Sequence, residues 1–146
     1  MKTTKIMMVA LVTFATISTA KANDGKSIPV GQLPAKAQEF LKAHFPGIAA
    51  YATVEWDFIF RSYEVSLAGG TTMEFDNKGE WEVVDCRKEQ VPAGIVPTRI
   101  AEFVNANHAG QAIVKIDRDR RDYEIELRDG TDIKFDLAFN VIGYDD

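Results

Sequence analysis

One stretch of the chain is written twice, and this duplication constrains the fold more than any other feature. YEVSLAGGTTMEF, residues 63–75, returns as YEIELRDGTDIKF, residues 123–135. Upstream, IPVGQLPAKAQEFLKAHFPGIA (28–49) aligns with VPAGIVPTRIAEFVNANHAGQA (91–112). The offset falls from 63 to 60 because three residues are missing from the second copy, in the region of EWDFIFRSY against DRDRRDY. The chain is therefore a tandem repeat with a unit of about 60 residues.

Each unit begins with a predicted short helix. Pro34 and Pro97 suit a first helical position, where the missing N–H would be unpaired in any case. Apolar residues then recur at three- and four-residue spacing, which is typical of an amphipathic helix. These residues are Leu33, Ala37, Phe40, Leu41 and Phe45 in the first unit, and Val96, Ile100, Phe103 and Val104 in the second. Gly47 and Gly110 are expected to stop the two helices.

Alternating strands follow each helix. The even positions of 54–60 are apolar or aromatic, so the pattern predicts that Trp56 faces the helices together with Val54. By the same strand phase, Tyr63, Trp81 and Tyr123 are predicted to point into the core.

Two turns in each unit separate the predicted strands. Gly69-Gly70 and Asp129-Gly130 are hairpin signals. The later turn Asp76–Gly79 has the counterpart Asp136–Phe139, which lacks the glycine. We therefore expect that last turn to differ between the two units.

These elements define the fold class. A helix-plus-four-strand unit of about 60 residues buries too little surface to be secure alone. Two copies can share a core and join their strands, which removes one sheet edge from each. We predict an α+β protein in which the two repeats form one antiparallel sheet of about eight strands, with both helices on one face.

The N-terminus resembles a secretory signal. Lys2 and Lys5 precede an apolar run, and Ala20-Lys21-Ala22 supplies a small-x-small cleavage pattern. We predict a signal peptide at 1–22, repeat 1 at 23–88 and repeat 2 at 89–146. No later segment is long and apolar enough to cross a bilayer, and the predicted location is the periplasm or the exterior.

Removing the signal changes the charge of the chain. Three lysines leave with it, so 17 − 3 = 14 basic residues face 22 acidic ones, and the net charge moves from −5 to −8. Nucleic acid and anionic membrane surfaces should repel such a protein. A basic partner or a cation is compatible with it.

The repeated motif P-x(4)-EF…G…YE[VI]-x-L-x(2)-GT-x(2)-x-FD, behind a signal peptide, resembles the small exported PepSY-like proteins. These are similar to the beta-lactamase inhibitor protein, itself a tandem repeat of a helical segment on a four-stranded sheet. The resemblance implies an extracytoplasmic, non-enzymatic α+β protein. The matching residues are turn glycines, helix-start prolines and core aromatics, so no catalytic residues are implied.

The chain carries no recognisable catalytic motif. HExxH, paired CxxC, GxSxG and phosphate-cradling glycine loops are all missing from the sequence. His44 and His108 occupy non-equivalent helix positions and are expected at the surface. Cys86 is the only cysteine and is interpreted as a strand-end residue without a chemical role. We expect no enzyme activity and no cofactor.

Binding is the remaining class of function. The sheet face opposite the helices should carry Glu64 and Glu74 in repeat 1, and Glu124 and Glu126 in repeat 2. We predict that these four glutamates contact a protein or peptide outside the cytoplasm, of basic character. The alternative is that the face is only solvated by its charges.

A second kind of site remains open. Asp76, Asn77 and Glu80 form an oxygen-rich turn that could hold a cation, although Lys78 stands where another oxygen ligand would be needed. A small-ligand or cation-binding envelope protein is therefore the alternative hypothesis. The alternating charges of 117–122 indicate only a solvated strand connection.

Overall fold

The computed structural model describes residues 25–145, and the predicted signal peptide lies outside them. Two helices, α1 (Ala35–His44) and α2 (Thr98–Asn107), accompany one sheet. The strands are β1 (Lys26–Ile28), β2 (Ala50–Asp57), β3 (Phe60–Leu67), β4 (Thr72–Phe75), β5 (Trp81–Asp85), β6 (Ile113–Arg118), β7 (Asp122–Leu127), β8 (Asp132–Asp136) and β9 (Val141–Asp145). Neither helix of residues 25–145 is long and apolar enough to span a membrane.

All nine strands form one antiparallel sheet in chain order. The repeats join at β5 and β6, where Val84 pairs with Ile116 and Asp85 with Lys115. The predicted α+β class, single sheet and two-repeat construction are confirmed. The additional strand, beyond the eight expected, is β1, which pairs with the free side of β2.

Both helices pack on one face of the sheet, and they do so in the same way. Phe40 of α1 meets Phe75 edge-on, with ring centroids 5.5 Å apart. Phe103 of α2 meets Phe135 edge-on at 5.6 Å. Phe75 and Phe135 are completely buried in one continuous core. The two units therefore pack their helices on the sheet through equivalent contacts, and one core runs across both units.

The last turn of each unit contradicts the prediction that the two would differ. The Oδ1 atom of Asp76 accepts the backbone N–H groups of the residues two and four positions later, at 2.8 and 2.9 Å. Asp136 does the same at 2.9 Å for both. Phe139 occupies the left-handed region at φ 70°, where Gly79 has φ 90°. The prediction was wrong because the aspartate, present in both units, organises this turn more strongly than the glycine does.

Gly79 has a separate reason to be glycine. A Cβ there would lie 2.9 Å from Pro34 Cβ and 3.0 Å from the backbone nitrogen of Ala37. Helix α1 thus passes too close for a side chain. At the equivalent place in repeat 2, Phe139 turns its ring onto Tyr123, at a centroid distance of 5.4 Å.

Arg118 ties the two repeats together beside the strand junction. Its guanidinium lies over the ring of Trp81 at 3.9 Å, and its Nε donates to the Trp81 carbonyl at 2.8 Å. It also reaches the Glu80 carboxylate, which Lys36 contacts at 2.6 Å. The expectation that 117–122 is only a solvated connection was therefore wrong for Arg118, because this cation crosses to an aromatic ring of the other repeat.

Candidate functional site

The hairpin of β2 and β3 runs beyond the rest of the sheet. β1 pairs with β2 no further than Val54, and β4 pairs with β3 no further than Tyr63. Residues 55–62 consequently pair only with each other in the described chain. We call residues 55–62 the aromatic arm.

Large apolar side chains on this arm are exposed to solvent. Four of them are between 61% and 94% exposed: Trp56, Phe58, Ile59 and Phe60. The prediction that Trp56 faces the core was wrong. Its strand phase places it on the helix side, as expected, but the sheet and core end before it. Tyr63 and Trp81 are buried as predicted, and Tyr123 is half-buried.

The tip of the arm is conformationally unusual. Phe58 has φ 63°, a region that bulky L residues rarely adopt. Such a conformation costs about 1 kcal/mol or more. The Phe58 side chain is also 94% exposed. Packing within residues 25–145 therefore does not compensate this cost. Strain together with exposure makes Phe58 a candidate for contact with another molecule.

The arm also carries an arginine beside one of its aromatic rings. The Arg61 guanidinium lies 5.1 Å from the centre of the Trp56 ring. Their positions are directly opposite each other in the two strands. Tryptophan and arginine are residue types that dominate the energetics of protein–protein interfaces.

An acidic strip lies at the base of the arm, on the sheet face away from the helices. Glu64 stands directly opposite Glu74, and with Glu55 they line a shallow cleft of about 130 Å³. Surrounding protein atoms partly desolvate the carboxyl of Glu74 and raise its pKa, although the side chain is exposed overall. The charges of Glu64, Asp117 and Glu82 raise it further, against an opposing effect of Lys115. Desolvation and the neighbouring acids together therefore disfavour ionisation of Glu74.

The predicted contacts in repeat 2 lie on the same face but in different surroundings. Glu124 is paired across the strands with Lys134, and Glu126 with Lys115. Both glutamates are half-buried, whereas Glu64 and Glu74 are exposed. The strand register thus brings the four predicted residues onto one face. Glu64 and Glu74 stand opposite each other, whereas Glu124 and Glu126 each have a lysine on one neighbouring strand. Their role in binding stays a prediction.

The alternative cation site is built from groups that already have partners. Asp76 Oδ1 accepts two backbone N–H groups. The Glu80 carboxylate contacts Lys36 at 2.6 Å and Arg118 at 3.4 Å, while Asn77 is exposed at the turn. Within residues 25–145, no three His, Cys, Asp or Glu side chains are grouped as metal ligands would be.

The remaining reactive side chains serve packing. Cys86 is buried just after β5, and burial raises the pKa of its thiol, which makes it a poor nucleophile. His44 and His108 are half-buried rather than fully at the surface. His44 packs on Phe40, with ring centroids 4.7 Å apart, and His108 Nε2 lies 3.0 Å from the Tyr144 hydroxyl.

The arm was missed at the level of sequence, although a signal for it was present. The three extra residues of repeat 1 fall in the stretch EWDFIFRSY, and that stretch is aromatic where repeat 2 is charged. Equivalent positions of a repeat have equivalent neighbours. An aromatic insertion in one copy therefore has no packing site prepared for it by the shared architecture.

Comparisons with known proteins place the chain in a family. The family model described as "Putative beta-lactamase-inhibitor-like, PepSY-like" matches residues 61–143. No match was found among curated proteins.

Three solved structures of Bacteroides proteins are similar along nearly their full length. A "putative periplasmic protein" of the DUF2874 family from Bacteroides vulgatus and a "putative calcium-regulated periplasmic protein" from Bacteroides thetaiotaomicron are each 44% identical. Both have a TM-score of 0.82, with 86% of this chain and 99% of theirs covered. A "putative periplasmic protein of unknown function" from Bacteroides vulgatus is 34% identical, with a TM-score of 0.79, and 84% of this chain and 99% of that one are covered.

The names of these relatives agree with the predicted location outside the cytoplasm, and none of them indicates an enzyme activity. The family match covers more than half of the chain, and the solved relatives are similar to it in both sequence and fold. The chain belongs to the PepSY-like, beta-lactamase-inhibitor-like family.

Proposed function

We propose that the chain is an exported, non-enzymatic binding protein, inhibitor-like in its mode of action, that holds another protein through the aromatic arm. The observation that carries this proposal is the exposure of four large apolar side chains on a hairpin that projects past the sheet. Burying one such side chain in a partner is worth about 1.5–3 kcal/mol. A projecting hairpin fits an apolar cleft better than a flat surface.

The charge around the arm predicts which groups line the rim of the partner's cleft. Glu55, Glu64 and Glu74 lie at the base of the arm, so basic groups of the partner would contact this strip while the aromatic tip is buried. Attraction of this kind mainly accelerates association and weakens with salt. The predicted contacts Glu124 and Glu126 extend the same face into repeat 2.

The test is affinity capture from extracytoplasmic extract with the mature protein and an arm variant carrying Trp56→Ser, Phe58→Ser and Phe60→Ser. Leu137→Ser is the matched control, because Leu137 is also an exposed apolar residue at a turn but lies in repeat 2. A partner held by the wild type and the control, and lost from the arm variant, supports the proposal. Equal capture by all three proteins contradicts it.

The acidic face is tested separately. Charge reversal of Glu64, Glu74, Glu124 and Glu126 should reduce capture at low salt more than at high salt. If capture by this variant equals wild-type capture at every salt concentration, the four glutamates have no role in binding.

The cation-binding alternative has one argument in its favour, the name of the relative described as calcium-regulated. The geometry opposes a site at Asp76, Asn77 and Glu80, since calcium would have to displace two cationic side chains from Glu80. We expect millimolar calcium to shift the melting temperature by less than about 1 °C. A larger shift that Asp76→Ala abolishes would establish the cation site.

A further inference from the structure

The strand β9 occupies the position in repeat 2 that β5 occupies in repeat 1. Asp85 aligns with Asp145 at the repeat offset, and both strands end a unit. In repeat 1 the far side of β5 is covered by β6, the first long strand of the next unit. In the described part of the chain, β9 is the last strand of the sheet, and nothing pairs with its outer side. The outer edge of β9 is thus equivalent to the edge of β5, and β6 shows what kind of strand pairs with such an edge.

The internal joint between β5 and β6 indicates what such an edge accepts. Ile116 stands opposite Val84, and Lys115 stands opposite Asp85. Transferred to β9, the same register places an aliphatic residue opposite Tyr144 and a basic residue opposite Asp145. The strand would run antiparallel, as β6 does.

Charge along the same row of the sheet supports a basic residue at that place. The cross-strand pairs connect Lys115 to Glu126, Glu126 to Asp132, and Asp132 to Asp145. In repeat 1, the acid Asp85 stands opposite a lysine on the next strand. In repeat 2, three neighbouring strands each contribute an acid to this row, and the last of these strands is the edge strand β9. A cation on an added strand would face the acidic end of this row, as Lys115 faces Asp85 at the internal joint.

At two positions, β9 carries exposed apolar side chains, unlike a protected edge. Free edges are commonly guarded by charge or by proline, and β5 carries Glu82 at the position where β9 carries Ile142. Ile142 is 51% exposed and Tyr144 is 48% exposed, while Val84, the counterpart of Tyr144, is completely buried beside β6. An added strand would cover these two side chains as β6 covers Val84.

We propose that the outer edge of β9 binds an extended peptide segment of another protein by antiparallel strand addition. The segment carries a branched aliphatic residue opposite Tyr144, with an adjacent Lys or Arg opposite Asp145. A second copy of this chain does not supply it. Its β6 is paired on both sides, and a symmetric β9–β9 pair about Gly143 would place Val141, not a cation, opposite Asp145. This edge lies across the sheet from the aromatic arm, so the inference does not depend on the proposed function.

The experiment uses the mature protein and a synthetic peptide, QAIVKIDRD, with the sequence of residues 111–119. Amide chemical shifts of 141–145 should change on titration to about 1 mM, the range in which a lone short strand is expected to bind. A peptide with Glu in place of the residue corresponding to Lys115 should bind about fivefold more weakly.

Two variants and a control separate the edge from general charge effects. Asp145→Lys should weaken binding of QAIVKIDRD and restore binding of the Glu-containing peptide. Ile142→Lys, at an exposed position that the fold does not require, should weaken both peptides by guarding the edge. Glu39→Lys, on the exposed side of α1, should leave both affinities unchanged.

Three results would overturn the proposal. One is the absence of shift changes in β9 up to the highest peptide concentration. Another is a set of changes centred on the aromatic arm instead. The third is self-association of the protein alone that Ile142→Lys abolishes, since the edge would then belong to a second copy.

Discussion

The connection between the first two long strands differs sharply between the repeats, although the structures around it match. Eight residues, 55–62, bridge the pair Val54–Tyr63 in repeat 1, and four residues, 119–122, bridge the pair Arg118–Tyr123 in repeat 2. The shorter connection is closed by Asp119, whose Oδ1 accepts two backbone N–H groups at 2.7 and 3.0 Å. The longer one projects aromatic side chains into solvent.

The difference separates the parts of this molecule that maintain the fold from the part available for contact. Edge-to-face ring pairs at 5.5 and 5.6 Å recur in both units, and so do the aspartate-centred turns. The arm occurs once. A feature that only one copy of a repeat carries is not needed by the architecture, so it is the better candidate for function.

The largest expected effect concerns the core that the two repeats share. Phe75→Ala and Phe135→Ala should each lower the free energy of unfolding by about 3–5 kcal/mol, because both rings are completely buried. Urea unfolding followed by circular dichroism and by tryptophan fluorescence should show one transition for either variant. Two separate transitions would mean that the repeats do not share a core.

The next effect tests the part that differs. Replacing residues 55–62 with the four-residue connection 119–122 should weaken partner binding at least a hundredfold, since interface anchors contribute about 2 kcal/mol or more each. The unfolding free energy should change by less than about 1 kcal/mol, since these side chains are exposed and residues 55–62 pair only with each other. Calorimetric titration against the captured partner gives the affinity, and undiminished binding would remove the arm from the site.

Gly79 and Phe139 sharpen the comparison of the two final turns. Gly79→Ala should destabilise the protein by about 2 kcal/mol, because it combines a left-handed φ with a close approach to α1. Phe139→Gly should change stability by less than about 1 kcal/mol, since relief of strain offsets the lost contact with Tyr123. Thermal melts of both variants measure this, and equal losses would show that helix proximity is irrelevant.

A smaller effect tests whether the strained backbone of Phe58 is retained because this residue contacts the partner. Phe58→Gly should raise the unfolding free energy by about 1 kcal/mol, because it removes an unfavourable φ and no buried surface. The same variant should bind the partner more weakly. A Phe58→Gly protein that is less stable than wild type would mean that the ring packs on the arm.

The smallest effect concerns the open face. Glu74 stands opposite Glu64, whereas its counterpart Lys134 stands opposite Glu124. Glu74→Lys should therefore stabilise the protein by about 0.5 kcal/mol, and less at high salt.

The pH dependence gives an independent check on Glu74. Its pKa is raised above the ordinary value of 4.5, first by partial desolvation of the carboxyl and then by neighbouring acids. The folded state thus holds this proton more tightly than the unfolded state does. Wild-type stability should fall as pH rises from about that ordinary value through the raised pKa, and Glu74→Lys should lack this part of the loss. Parallel stability profiles for the two proteins would contradict the assignment.

Much of the fold could be predicted from the sequence because its signals are local and repeated. Helix starts, strand alternation and the hairpin glycines identify each unit, and their duplication predicts a shared sheet. The position of Trp56 could not be predicted, because strand alternation determines the side of a sheet and says nothing of where the neighbouring strands end. The turn at Phe139 was misjudged since a strained φ depends on the hydrogen bonds of Asp136, which outweigh the preference for glycine.

The candidate site was only half accessible to sequence reasoning. The acidic face follows from strand phase, so Glu64 and Glu74 were placed correctly on it. The different electrostatics of Glu124 and Glu126 depend on the register against Lys134 and Lys115, which is a matter of pairing between strands. No local pattern contains that information.

The shortest strand of the sheet has a consequence for the size of the assembly. β2 is the counterpart of β6, and β6 is the strand that fits the edge of a completed unit. If β2 were uncovered, each molecule would present an open edge at both ends of its sheet, and copies could add head to tail without closing. The three residues Lys26–Ile28 pair with β2 and leave only a short edge at that end, which disfavours such addition.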